Sequence, residues 1–70
     1  MMTEWIEGFK IAVAAHGRLE VTISANREGL LSLASQIRAL ADSCPGDHIH
    51  YDEFNSLEEG SLEMIIERIE

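Results

Sequence analysis

Two histidines and a carboxylate alternate in His48-Ile49-His50-Tyr51-Asp52. If this stretch is extended, His48, His50 and Asp52 project from one side of it, because side chains alternate across a strand. Two imidazoles and a carboxylate are a donor set that zinc or iron accepts. His-x-His is a short motif, however, and no second cluster completes a site: His16 falls in a predicted turn and Cys44 in another. The competing reading is a solvated strand face whose histidines pack by their rings or meet a partner.

Other chemistry is less well provided for. Cys44 is the only cysteine, so the chain cannot form an internal disulfide. Its nearest charges in sequence are Asp42 and Asp47, and nothing electropositive is at hand to activate a thiol. It reads as a small apolar residue near a helix end. The carboxylate pairs Asp52-Glu53 and Glu58-Glu59 lie in polar stretches, where adjacent acids are solvated charge. There is no phosphate-binding loop, dinucleotide fingerprint or zinc-ribbon spacing, so no cofactor is expected. A chain of 70 residues also has little room to enclose a cavity of the usual ~300 Å³ or more. Trp5, Tyr51 and Phe54 have two readings: anchors for a protein partner, since aromatics concentrate binding energy, or residues that complete a small core.

The elements that must position these residues follow from hydrophobic period. Phe9, Ile11, Val13 and Ala15 alternate with Lys10, Ala12 and Ala14, and Leu19, Val21 and Ile23 alternate with Glu20, Thr22 and Ser24. A short turn, His16-Gly17-Arg18, joins the two runs, which predicts a β-hairpin. Leu30, Leu33, Ala34, Ile37, Leu40 and Ala41 then recur at helical spacing, with Ser35, Gln36 and Arg38 opposite. Asn26 is the expected N-cap, and Pro45 predicts an end by Ser43 or Cys44. His48–Phe54 alternates as a third strand. Residues 55–61 form a loop with room for one helical turn starting at Ser56. Residues 62–69 fit a helix face through Leu62, Ile65, Ile66 and Ile69, or a strand; the short length and the isoleucines favour a strand. The expected fold is α+β, ββαββ: a four-stranded, largely antiparallel sheet with one amphipathic helix packed on one face. In that arrangement Ile65 and Ile69 lie on the uncovered side of the sheet, as an apolar face for dimerisation or for a partner. Residues 1–70 read as a single domain, with 1–7 as a flexible N-terminal arm and Met2 as an alternative start.

Charge narrows the partners. Five basic residues face thirteen acidic ones, for a net charge of −8. Residues 1–41 are balanced, four acids against four bases, whereas residues 42–70 hold nine acids against Arg68 alone. Nucleic acid and anionic membrane surfaces are poor partners for such a chain, because both require clustered Lys and Arg. A basic protein is the partner this field would steer in, although acidity also simply keeps small proteins soluble. No apolar stretch approaches the ~20 residues of a membrane span. The acids in the first residues do not suit a signal peptide. With the lone thiol, these features place the protein in the cytoplasm.

Three segments in order resemble a known family: Gly29-Leu30-Leu31-Ser32-Leu33-Ala34 continuing to Ala39-Leu40-Ala41, then Gly46-Asp47-His48-Ile49-His50-Tyr51-Asp52, then Gly60-Ser61-Leu62-Glu63-Met64-Ile65-Ile66-Glu67. Over residues 19–69 the chain resembles a small immunity-protein family of bacterial polymorphic toxin systems, the one numbered thirty-two. The resemblance implies an α+β immunity protein that neutralises a bacterial toxin, and a strand at 62–69. It brings no catalytic residues with it. The residues themselves suit that role: a nuclease toxin has a basic phosphate-binding surface, which Asp52, Glu53, Glu58 and Glu59 could cover while Tyr51 and Phe54 supply buried contacts. Two alternatives stand beside it: a homo-oligomeric structural or regulatory module, here a homodimer pairing through apolar faces, and a small metal-binding protein using His48, His50 and Asp52.

Overall fold

A computed structural model describes residues 4–70. The Met1-Met2 pair and the start of the expected arm lie outside the described residues. The order of elements is β1 (Ile11–His16), β2 (Glu20–Ala25), α1 (Arg27–Ala41), β3 (His48–Tyr51) and β4 (Met64–Glu67). The last segment is therefore a strand, as both the isoleucines and the resemblance imply. β1 pairs antiparallel with β2, joined across Gly17 at φ +73°, and β3 pairs antiparallel with β4.

These pairs do not merge into the expected four-stranded sheet; they are two separate two-stranded sheets. The reason lies along the edge of β1 that faces away from β2. A loop, not a strand, occupies it: the Ile11 carbonyl accepts from Glu58 N–H at 2.8 Å, and the Val13 carbonyl from Leu62 N–H at 2.9 Å. The Val13 N–H turns instead to the Ser61 hydroxyl, 3.1 Å away. Gly60, at φ +86°, reverses the chain between these contacts, so no continuous ladder can form there. β3 is also shorter than expected. It stops at Tyr51 because the Asp52 carbonyl accepts from the N–H groups of Asn55, Ser56 and Leu57, which winds the chain into a turn.

The core consists of Ile11, Val13, Leu33, Leu40, Ile49, Tyr51 and Leu57, with Trp5, Phe9, Ala25, Met64 and Ile66 packed around it. The helix meets it with a face rotated from the one its hydrophobic period selects, sharing only Leu33 and Leu40 with it. Gly29, Ser32, Leu33, Gln36 and Leu40 are buried, while Leu30 (55% exposed), Leu31 and Ile37 stand outside. Two contacts set this rotation. At Gly29 the helix approaches β1 so closely that a Cβ would lie 2.6 Å from the Lys10 carbonyl oxygen and 2.9 Å from Ile11 Cγ1. Farther along, the N-terminal segment docks on the polar residues. Ser32 accepts from Ile6 N–H at 2.9 Å and donates to the Glu28 carbonyl, and Gln36 Nε2 donates to the Glu4 carbonyl. Hydrogen-bonded Ser and Gln can be buried cheaply, which leaves Leu30, Leu31 and Ile37 beside the core.

Asn26 is the N-cap, as expected, accepting from Gly29 N–H at 2.9 Å. The same carboxamide oxygen accepts from Lys10 N–H, and its Nδ2 donates to the Gly8 carbonyl. One side chain thus joins the helix start to the entry of β1.

Candidate functional site

The loop between β3 and β4 carries the exposed chemistry of the acidic half. Asp52 Oδ1 accepts from the N–H groups of Phe54 and Asn55, each at 2.9 Å. Asn55 answers with its own side chain, accepting from Asp52 N–H and donating to the His50 carbonyl. Glu53 Oε2 reaches across to Gly60 N–H at 2.8 Å. Leu57, the only large aliphatic residue between Phe54 and Leu62, is buried in the core and pins the middle of the loop. The Glu58 N–H bond to β1 secures its far side. Hydrogen bonds and one buried leucine thus tie the loop along its length.

Phe54 rides on this loop at 92% exposure. Glu58 and Glu59 are exposed alongside it in sequence, while Asp52 and Glu53 spend carboxylate oxygens on the loop itself. The two aromatics named together from sequence therefore part company. Tyr51 is 1% exposed, a core residue whose hydroxyl donates to Gln36 Oε1 at 2.8 Å. Burial raises its hydroxyl pKa above the ordinary 10.0. Trp5 also turns inward, stacked on Phe9 with ring centroids 4.4 Å apart and edge-on to Tyr51 at 6.0 Å.

The histidine face forms in part. His48 and His50 both point outward from β3, with ring centroids 4.8 Å apart and the planes at 70°. Ring-against-ring packing is one of the readings given to a solvated histidine face above. His48 Nδ1 also lies 3.1 Å from the Gly46 carbonyl oxygen. Asp52 does not join them, because the strand ends before it and its carboxylate caps the turn. Among the described residues, no group of three His, Cys, Asp or Glu side chains is placed to hold a metal ion. Cys44 is exposed rather than packed at the helix end, in a turn where Asp47 Oδ2 accepts from its N–H. Among the described residues, no helix is long and apolar enough to cross a membrane. Ile65 stands outward opposite His50, and Ile69 is exposed beyond the end of β4.

Sequence reasoning missed Gly29, Ser32, Gln36 and Leu57. Gly29 and Leu57 did leave signals: a glycine inside the first helical turn, and one leucine alone in an acidic loop.

These features define a small α+β protein with one helix, two two-stranded sheets and a hydrogen-bonded loop that exposes Phe54. Residues 20–69, which include all of that loop, match the family described as Immunity protein 32, and the chain belongs to that family. Its general role is accordingly toxin immunity, with a toxin as partner. Neither a curated protein nor a solved structure matches the chain.

Proposed function

We propose that this immunity protein acts by binding and not by catalysis, and that the loop from Asp52 to Gly60 is the surface that covers its toxin. The observation that carries this reading is Phe54: a large aromatic side chain, 92% exposed, held on a loop tied by its own hydrogen bonds and by buried Leu57. An exposed aromatic on a preorganised loop loses little freedom on binding, which is what a hot-spot residue requires. Glu58 and Glu59, with the remaining charge of Asp52 and Glu53, make the charges of the loop itself all acidic. A toxin with a basic active surface, as a nuclease has, is the complementary partner. Acidic residues there take the place of phosphate, speed encounter and keep the substrate out. The toxin meets the protein in the cytoplasm, where such a substrate lies.

Affinity capture of the tagged protein at low and moderate salt tests the reading. A stoichiometric toxin of net positive charge, released as salt rises, is the expected result. Capture of a toxin that carries net negative charge, or whose retention ignores salt, would overturn it.

A further inference from the structure

Among the described residues, β2 is paired on one side only, by β1. The bonds made by β1 fix what the free edge of β2 presents. The Ile11 and Val13 carbonyls and the Val13 N–H all point away from β2, to Glu58, Leu62 and Ser61. Their register partners are Ala25 and Ile23. In an antiparallel pair, opposed residues either bond to each other or both turn away. Ala25, Ile23 and, two residues earlier, Val21 therefore direct their N–H and C=O groups off the free edge. The same residues share a sheet face with Ile11 and Val13, the face toward α1. Yet Val21 is 61% and Ile23 47% exposed, because the helix covers only the Ala25 end.

Natural edge strands are blunted by lysine, proline, bulges or inward-pointing charge. Glu20-Val21-Thr22-Ile23-Ser24-Ala25 has none of these, and its one charge sits at the first position. We propose that β2 pairs antiparallel with β2 of a second copy of this chain, fusing two hairpins into one four-stranded sheet.

The sequence of the strand is complementary to itself. A two-fold axis through Thr22 sets Val21 of each copy against Ile23 of the other, with their outward backbone groups bonded across the axis. Thr22 then faces Thr22 on the opposite side of the sheet, a favourable cross-strand pair, and Glu20 faces Ser24, so no acid opposes an acid. Charge selects the same occupant. The strand lies in residues 1–41, which are balanced, whereas the acidic excess lies in residues 42–70. Each copy brings a single charge, Glu20, on the strand itself, so a strongly basic partner finds little complement along this edge. The acidic loop bonds to the other side of β1, through Glu58 and Leu62. Dimerisation therefore leaves both loops free, one at each end of the joined sheet, and the inference does not depend on what the loop binds.

Sedimentation of the full chain over a dilution series, with amide hydrogen exchange at matched concentrations, tests this. Two chains per particle are expected at high concentration, with Val21 and Ile23 amides protected and losing that protection on dilution. The Val21→Lys, Ile23→Lys double variant should sediment as one chain throughout with its helical signal intact. A wild-type protein that stays a single chain up to its solubility limit overturns the proposal. So does a dimer in which the Val21 and Ile23 amides exchange freely. Both readings come from the wild type, so the test stands even if the double variant fails to fold.

Discussion

The hydroxyl of Tyr51 donates to Oε1 of Gln36 across the core at 2.8 Å, and Nε2 of the same Gln36 donates to the Glu4 carbonyl. Strand β3, the helix and the N-terminal segment are thus joined through one buried carboxamide, which is 3% exposed. Tyr51→Phe leaves Oε1 of Gln36 buried without a donor, which costs about 1–3 kcal/mol. Denaturant unfolding of the variant should show that loss. The pH dependence is a second signature. The folded hydroxyl holds its proton above the ordinary 10.0, so the stability Tyr51 contributes is complete below pH 10 and is lost as pH rises through the higher folded value. The alkaline limb of a stability profile should be flatter in Tyr51→Phe.

Gly29→Ala should destabilise the fold although alanine is the better helix former. Propensity favours the change by about 1 kcal/mol. Against that, the new Cβ meets the Lys10 carbonyl oxygen at 2.6 Å, a backbone atom that cannot swing aside. Forced overpacking of this kind costs about 1–3 kcal/mol. A lowered Tm with retained helix content is the expected readout.

Asn26→Ala should cost more than an ordinary N-cap, which is worth about 1 kcal/mol. The side chain also holds Lys10 N–H and the Gly8 carbonyl. Asn26→Asp keeps the acceptor for Gly29 and Lys10 but loses the donor to Gly8, so it should fall between wild type and alanine in chemical denaturation.

The four loop acids should divide into two pairs. Glu58→Gln with Glu59→Gln is expected to leave stability within about 0.5 kcal/mol, as for surface changes generally. Association with a basic toxin should slow and become less sensitive to salt. Asp52→Ala, by contrast, removes the acceptor for two backbone N–H groups and should loosen the loop, seen as faster amide exchange at Phe54 and Asn55. If Glu58 and Glu59 prove neutral for association kinetics, the acidic surface has no part in recognition.

Local patterns carried most of the elements. Alternation marked the first hairpin and β3, Asn26 marked the helix start, and the short length and isoleucines of β4 decided strand over helix. The single sheet failed because period says where strands are, not whether a loop such as residues 58–62 will lie between them. The helix face failed for a related reason. Of the stripe Leu30, Leu33, Ala34, Ile37, Leu40 and Ala41, Leu33 and Leu40 are buried as expected, but the rest of the buried face went to Gly29, Ser32 and Gln36, whose partners Lys10, Ile6 and Tyr51 are distant in sequence. The candidate site was half legible. Asp52, Glu53, Phe54, Glu58 and Glu59 share one loop, whereas Tyr51 belongs to the core because it alternates with His50, whose ring points outward.

The most direct test of the account is binding kinetics of Phe54→Ala against the toxin it neutralises, beside wild type. The account predicts an affinity loss of about 2 kcal/mol or more, the scale of a hot spot, chiefly as faster dissociation and with unfolding unchanged. Wild-type affinity in a correctly folded Phe54→Ala protein would contradict it, and would move the toxin-binding surface away from this loop.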